Sequence, residues 1–252
     1  MIALFSAVEQ ENAWLRSQLV HPLTHRLGPF PLQQGQLAGH EVIIVTTGIG
    51  KAAAAAAAAL VLNHWQPRWV IAVGCGGLYP GHALAIGDLV LASEEIYADE
   101  GVQTPGGFLD MEQIGLPLLR RGDLAFYNRF PVDAERTRSL KNALETAHST
   151  YSSLSLASGP FVTVSTCHGT DQGGRQTATR TGGLCENMEG AAIAQLCCAW
   201  NTSFSELRAL SNRVENRDLS QWDLEGAMHN AQRALFSALD NLPASIASPA
   251  QG

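Results

Sequence analysis

The stretch "EVIIVTTGIGKAAAAAAAALVLNHWQPRWVIAVG", residues 41–74, carries the decision about fold. Residues 41–48 and 68–74 are short β-rich runs, apolar on both faces, as strands covered by helices on either side should be. Between them, 51–65 is a helix candidate built on eight consecutive alanines. Strand, helix, strand in that order predicts a crossover unit in a largely parallel sheet. Alanines let such a helix press onto the sheet, and the glycines of "TTGIG" let the backbone approach a neighbour closely. This loop is neither GxGxxG nor GxxxxGK[ST], so taken alone it reads as tight packing.

The same alternation runs outward in both directions. Further strand candidates are "IALFSA" (2–7), "DLVLASEEI" (88–96), "GPFVTVST" (159–166), "GLCENME" (183–189) and "ELRALSN" (206–212). Helix candidates are 9–20, 133–148, 190–200 and 223–241, the last opening on acid and repeating apolar residues every three or four positions. The expectation is one three-layer α/β/α domain over residues 1–242 around a central mixed, largely parallel sheet. The tail "PASIASPAQG" (243–252) reads as frayed. Residues 97–131 show no clear period and carry Pro105, Gly106, Gly107 and Pro117. A loop of that length reads as a lid or an interface, or else as a solvated connection.

Composition narrows the partners. Hydrophobic residues make up 46% of 252, enough for a sizeable core, and the formal charge is −7 without a long basic cluster. Nucleic acid is therefore not the expected partner, since phosphate contacts need a dense positive face; an uncharged nucleoside remains open. Five cysteines without a CxxC pair point to free thiols in a reducing cytoplasm. Eight histidines without HExxH or CxxC…H spacing give no metal site. The first residues lack a basic n-region and meet acid at Glu9, and no run is long enough to span a membrane.

Open parallel sheets bind ligands beyond the carboxyl ends of their strands, so polar residues there carry most information. Glu11, in "AVEQE", follows the first strand; it reads either as a carboxylate complementing a helix start or as a site acid. "AVGCGGLYPG" (72–81) reads as a glycine loop with exposed amides, including Gly76. "ENMEGAA" (186–192) sets two acids around Met188 ahead of a helix start of small residues. In "LRALSNRVENRD", Arg208 and Asn212 share one face of a strand end, and a buried arginine there needs an acid or a bound anion.

In this order, the segments "AVEQE", "TTGIGKAAAA", "GCGGLYPGHALAIGDLVLAS", "ENMEGAAIAQLC" and "LRALSNRVENRDLSQWDL" resemble the nucleoside phosphorylase and nucleosidase superfamily. Within it the chain is similar to the 5′-methylthioadenosine/S-adenosylhomocysteine nucleosidases, and most of all to futalosine hydrolases, through "YADEGVQTPGGFLDMEQIGLP", "ENMEG" and "SNRVENRD" followed by "WDL". The resemblance implies N-glycosidic hydrolysis of a small nucleoside without cofactor, and a homodimer or larger assembly in which the 97–131 loop reaches a neighbour's pocket. It implies Glu11 as the acid that activates water, Arg208 beside it, and Glu189 on the ribose hydroxyls with Met188 against the sugar. Asn187 stands where adenosine-cleaving relatives carry a second acid, which leaves Glu186 open between a cap or salt bridge and a site role.

Asn212 stands where those relatives place an aspartate. An amide donates through NH₂ and accepts through oxygen, which fits O6 and protonated N7 of a 6-oxopurine such as hypoxanthine. Ser211 precedes it. Spacing puts Thr166 and Cys167 nearest the purine platform, with Phe161 or His168 replacing the usual aromatic. The carboxylate on futalosine's 5′ arm calls for a cation, with Arg175, Arg213 and Arg217 as candidates.

Overall fold

The computed structural model describes residues 1–147 and 154–243. In chain order they form β1 (Ile2–Ser6), α1 (Ala13–Ser17), β2 (Val20–Leu27), β3 (Phe30–Leu37), β4 (His40–Thr46), α2 (Lys51–Trp65), β5 (Trp69–Leu78) and β6 (Leu89–Tyr97). Short strands β7 (Gly101–Thr104), β8 (Gly107–Asp110), β9 (Leu119–Arg121), β10 (Leu124–Phe126) and β11 (Arg129–Pro131) follow. Then come α3 (Ala134–Thr146), β12 (Leu156–Thr163), α4 (Asp171–Thr181), β13 (Cys185–Asn187), α5 (Gly190–Trp200), β14 (Ser203–Arg213) and α6 (Leu224–Asp240).

Alternation along each central strand builds the three layers. In β1, Ile2 and Leu4 face one cluster while Ala3 and Phe5 face the other; in β4 the split is Val42 and Ile44 against Ile43 and Val45. One cluster is closed by Leu140 and Leu144 of α3 and by Ala231, Ala234 and Leu235 of α6. The other is closed by Ala54, Ala57, Ala58 and Val61 of α2 with Ala191, Ala192 and Ala194 of α5. The alanine run therefore lies against a second small-residue helix as well as the sheet, which lets both approach closely. Every central side chain is buried on one face or the other, each contributing about 1.5–3 kcal/mol where fully apolar.

The sheet is mixed, with a parallel centre. β4, β1, β5 and β14 run parallel in that order, as do β6, β12 and β13. Antiparallel pairings occur at the edges, β4–β3–β2 and β6–β11, and at β13–β5 and β14–β6. The last two close a ring, β5–β14–β6–β12–β13. β5 changes partner along its length: Trp69–Ala72 pair with β1, whereas Gly77 and Leu78 pair with β13. That change of neighbour opens the sheet at Gly74–Gly76.

Three expectations need correction, and one helix went unanticipated. The helix expected over 9–20 is a 3₁₀ turn (Glu9–Glu11) and the five-residue α1, after which the chain turns into the β2–β3 hairpin. That hairpin's polar faces gave no alternating signal; β2 is largely exposed. The "glycine loop" at 74–78 is strand, because β14 continues alongside to pair Asn212 with Gly77. The 97–131 interval is two small hairpins, β7–β8 and β9–β10, and an edge strand. The unanticipated helix is α4, whose "DQGGRQTATRT" is too polar and glycine-rich to register; its ends are marked by a Thr170 cap and by Gly182 at φ 73°. The tail expected to fray lies, beyond Pro243, outside the described residues.

Candidate active site

A cavity of about 360 Å³ opens where β5 parts from β1. Its walls come from the turn after β1 (Ala7, Val8, Glu11), from Ile49, from β5 (Cys75–Gly77), from the β13–α5 junction (Glu186–Glu189) and from the end of β14 (Arg208, Ser211, Asn212). Cys167 and His168 close one side, and Arg217, Trp222, Leu224 and Met228 another. Of the residues singled out in the sequence, Glu11, Gly76, Cys167, Asn187, Met188, Glu189, Arg208, Ser211 and Asn212 line this cavity. Thr166 is exposed and outside it, and Phe161 is fully buried in the core beneath.

Glu11 is buried and tightly held. Its Oε2 accepts from the amides of Ala7 (2.9 Å) and Val8 (3.3 Å), and its Oε1 from Cys75 (2.9 Å). The Cys75 amide belongs to the stretch of β5 that β1 no longer pairs, so the split in the sheet supplies the donor. Gly74 makes room: a Cβ there would run into the Glu11 carboxylate and lie 3.1 Å from Arg208 Nη1. The Cys75 thiol, pushed up to about 12 by burial and then by Glu11, stays neutral beside it.

Glu189 faces Glu11 across the guanidinium of Arg208. Its Oε1 accepts from Gly50 N at 2.9 Å, and its Oε2 lies 3.5 Å from Arg208 Nη2. Gly50 has φ 94° and Gly48 φ 84°, so "TTGIG" needs its glycines to aim that amide. The loop that read as packing material is thus part of the site. Burial raises the Glu189 carboxyl, with Arg208 and the Gly50 amide pulling against it. Arg208 donates from Nε to Glu206 (2.7 Å) and from Nη1 to the Cys75 carbonyl (2.9 Å), with Glu11 at 4.0 Å. Burial would lower this guanidinium, but the surrounding carboxylates outweigh it and keep it charged.

Behind Arg208 lie two acids the sequence reading passed over, Glu95 and Glu206, both sealed from solvent. Both strands carry other polar residues, so neither acid stands out in the sequence. Burial, and next the charge of Glu206, raise Glu95 well above the usual carboxylate range, so Glu95 carries a proton. Among the described residues Glu206 Oε2 has no hydrogen-bond partner, and both carboxylates converge on Gly190, where a Cβ would strike them. Asn187 is held by this layer. Its Nδ2 donates to Glu95 (3.1 Å), while its Oδ1 accepts from Thr163 Oγ1 and from the amides of Glu189 and Gly190. Its Oδ1 and one Nδ2 hydrogen shape the start of α5, and Asn187 also lines the cavity.

At the other end Asn212 is half-exposed. The Ser211 hydroxyl lies 2.8 Å from Asn212 Oδ1, and Asn212 Nδ2 donates to the Arg213 carbonyl at 3.1 Å. Glu186 is no cap; it accepts from Tyr79 and His168. Of the three candidate cations, Arg217 lines the cavity, 4.8 Å from the Trp222 ring. Arg175 pairs with Asp171 and Arg213 donates to the Leu84 carbonyl, both away from it. A groove of about 660 Å³ continues past Val8, Leu224 and Met228 to Trp14 and His229.

This assembly of acids about one arginine, at a break in a mixed sheet, sits in a chain whose residues 1–242 match the phosphorylase superfamily. The chain belongs to that superfamily. Superfamily relatives include a futalosine hydrolase of Thermus thermophilus, 34% identical over 79% of this chain and 81% of that one. A 5′-methylthioadenosine/S-adenosylhomocysteine nucleosidase of Aeromonas salmonicida is 31% identical over 96% of this chain and 99% of that one. Among solved structures, the corresponding nucleosidase of Colwellia psychrerythraea, bound to adenine, superposes with a TM-score of 0.82 at 26% identity, covering 96% of both chains. The mixed α/β architecture is that of these nucleosidases. None of the described helices is long and apolar enough to cross a membrane.

Proposed function

We propose that the protein hydrolyses the N-glycosidic bond of futalosine, releasing hypoxanthine and dehypoxanthine futalosine, a step of menaquinone biosynthesis in the cytoplasm. The enzyme is an N-glycosyl hydrolase of purine nucleosides; the choice of base and 5′ arm is the finer part of the reading. The observation that carries it is an amide instead of an acid in the cavity wall, Asn212, with the Ser211 hydroxyl against its oxygen. An amide offers NH₂ to O6 and oxygen to a protonated N7, whereas adenine presents a donor where O6 would be.

Three of the four lone-pair positions of Glu11 are filled by backbone amides, leaving one on Oε1 for water. From there the carboxylate takes the proton as water attacks the anomeric carbon, and its charge opposes the positive charge of an oxocarbenium-like transition state. Glu189, anchored by Gly50, holds the ribose diol, with Met188 against the sugar. The leaving base draws its proton from solvent, and Asn212 holds the protonated form. Phosphorolysis is the less supported course, since the early arginines Arg16 and Arg26 bond to Gln33 and Gly28 outside the cavity. The groove past Met228 suits an aromatic 5′ arm, and Arg217 is the cation for its carboxylate.

Exposed Val102, Leu109, Leu116 and Leu124 in the hairpin region support a homo-oligomer in which this region meets a neighbour. A second reading, methylthioadenosine/S-adenosylhomocysteine nucleosidase, is favoured by relatives of that name that span nearly the whole chain. Replacing Asn212→Asp separates the two. The variant should lose hypoxanthine release and gain adenine release, each by about 10-fold or more, the value of one charged hydrogen bond. An unchanged preference contradicts the assignment of Asn212.

A further inference from the structure

Gly77 has a neighbour on each side: Glu186 of β13 and Asn212 of β14 are both its direct register partners in the sheet. A Cβ on Gly77 would lie 2.8 Å from Val214 Cγ2, 3.2 Å from Asn212 Nδ2 and 3.7 Å from Glu186 Cβ. Its absence lets the buried Val214 side chain pack against β5, while the register sets an amide and a carboxylate on either side, both in the cavity wall. A planar heterocycle laid there meets Asn212 at one edge and Glu186 at the next.

Glu186 is 6% exposed and well supplied with donors. Its Oε2 receives the Tyr79 hydroxyl (2.8 Å) and His168 Nδ1, which fills that oxygen. Among the described residues its Oε1 receives the His168 amide alone (3.1 Å) and keeps one position open. His168 is held from its far side by Thr177 Oγ1, 2.8 Å from Nε2. Burial, and then Glu186 itself, push the Tyr79 phenol far up, so it remains a donor. These contacts keep Glu186 an acceptor with one vacant site on the base side of the cavity.

We infer that Glu186 reads the N1–H of a 6-oxopurine, completing with Asn212 a two-point test of the base. This rests on the purine-nucleoside reading above and adds a residue to it. Hypoxanthine and guanine carry hydrogen on N1 and can donate to a carboxylate. Adenine presents a bare N1 lone pair to the same oxygen, an acceptor facing an acceptor in a desolvated pocket. Tyr79 and His168 position Glu186; they do not touch the base themselves through these atoms.

The test compares kcat/KM for inosine and adenosine in the wild type and in Glu186→Ala. In the variant the acceptor is gone, so inosine loses its N1–H bond while adenosine, whose N1 has no hydrogen to donate, loses none. The inosine-to-adenosine ratio should fall by about 10- to 100-fold, a hydrogen bond to a charged group lost. A purely structural role for Glu186 would lower both substrates together and leave the ratio. In parallel, inhibition of the wild type by hypoxanthine and by 1-methylhypoxanthine needs no variant; hypoxanthine should bind at least about 10-fold more tightly. Preference for inosine with an unchanged ratio in the variant, or equal binding of the two bases, overturns the role of Glu186 alone. Wild-type preference for adenosine overturns it together with the 6-oxopurine reading.

Discussion

Replacing Glu95→Gln should make the protein more stable relative to wild type as pH rises. Glu95 is sealed, lies against Glu206, and keeps its proton where an unfolded glutamate has lost it. Its folded pKa is raised, so the folded state binds the extra proton above the ordinary glutamate range, and wild-type stability falls with pH there. The fall continues until the folded pKa is reached. An amide carries no such proton. The ratio of the variant's folding constant to that of the wild type should therefore grow by about tenfold per pH unit across that window. A constant cost accompanies the change. The Nε2 that donates to Glu206 cannot also accept from Asn187 Nδ2, as Glu95 Oε1 does at 3.1 Å, which costs about 1 kcal/mol at every pH. Urea unfolding of both proteins at about pH 5, 6 and 7 separates the slope from the offset. Parallel stability profiles would refute a protonated Glu95. By contrast Glu206→Gln removes an ion-pair partner from Arg208 and should cost about 3–5 kcal/mol.

Glu11→Gln should lower kcat by about 10²- to 10⁴-fold with little change in KM, read by steady-state base release. Gly74→Ala drives a Cβ into Glu11, and the resulting displacement should cost about 10²-fold in kcat/KM while the fold, read by circular dichroism, survives. Because Glu189 is raised by burial, the acid limb of kcat/KM should lie above the ordinary glutamate range, and Glu189→Gln should remove that limb along with most ribose binding. Arg217→Ala should weaken binding of a nucleoside with an anionic 5′ arm by about 10-fold and leave inosine unaffected, read as KM for each.

The parts of the fold that the sequence declared were those whose burial was complete. Strands apolar on both faces, such as 41–48 and 68–74, could only lie between helix layers, and 51–65 and 190–200 coincide with α2 and α5. Elements facing solvent escaped: β2 and β3 alternate weakly, and α4 has almost no apolar face. Glycines misled in both directions. Those at 74, 76 and 77 suggested a loop but are strand positions emptied for Glu11, Cys185 and Val214, while those at 48 and 50 suggested packing but aim an amide at Glu189. Glu11, Glu189 and Arg208 were legible as polar residues at strand ends. Glu95 and Glu206 were not, since partners 111 positions apart in the chain meet only once β6 and β14 lie side by side. Asn187 read as a site residue because it stands where adenosine-cleaving relatives carry a second acid; its contacts with Glu95 and Thr163 are invisible without the fold.

The most direct measurement is chromatography of free bases released by the purified protein from futalosine, inosine and methylthioadenosine, each with and without phosphate. The account predicts hypoxanthine from futalosine at a rate indifferent to phosphate, and little adenine from methylthioadenosine. Adenine as the main product would contradict the reading of Asn212 and Glu186, and turnover that requires phosphate would contradict hydrolysis.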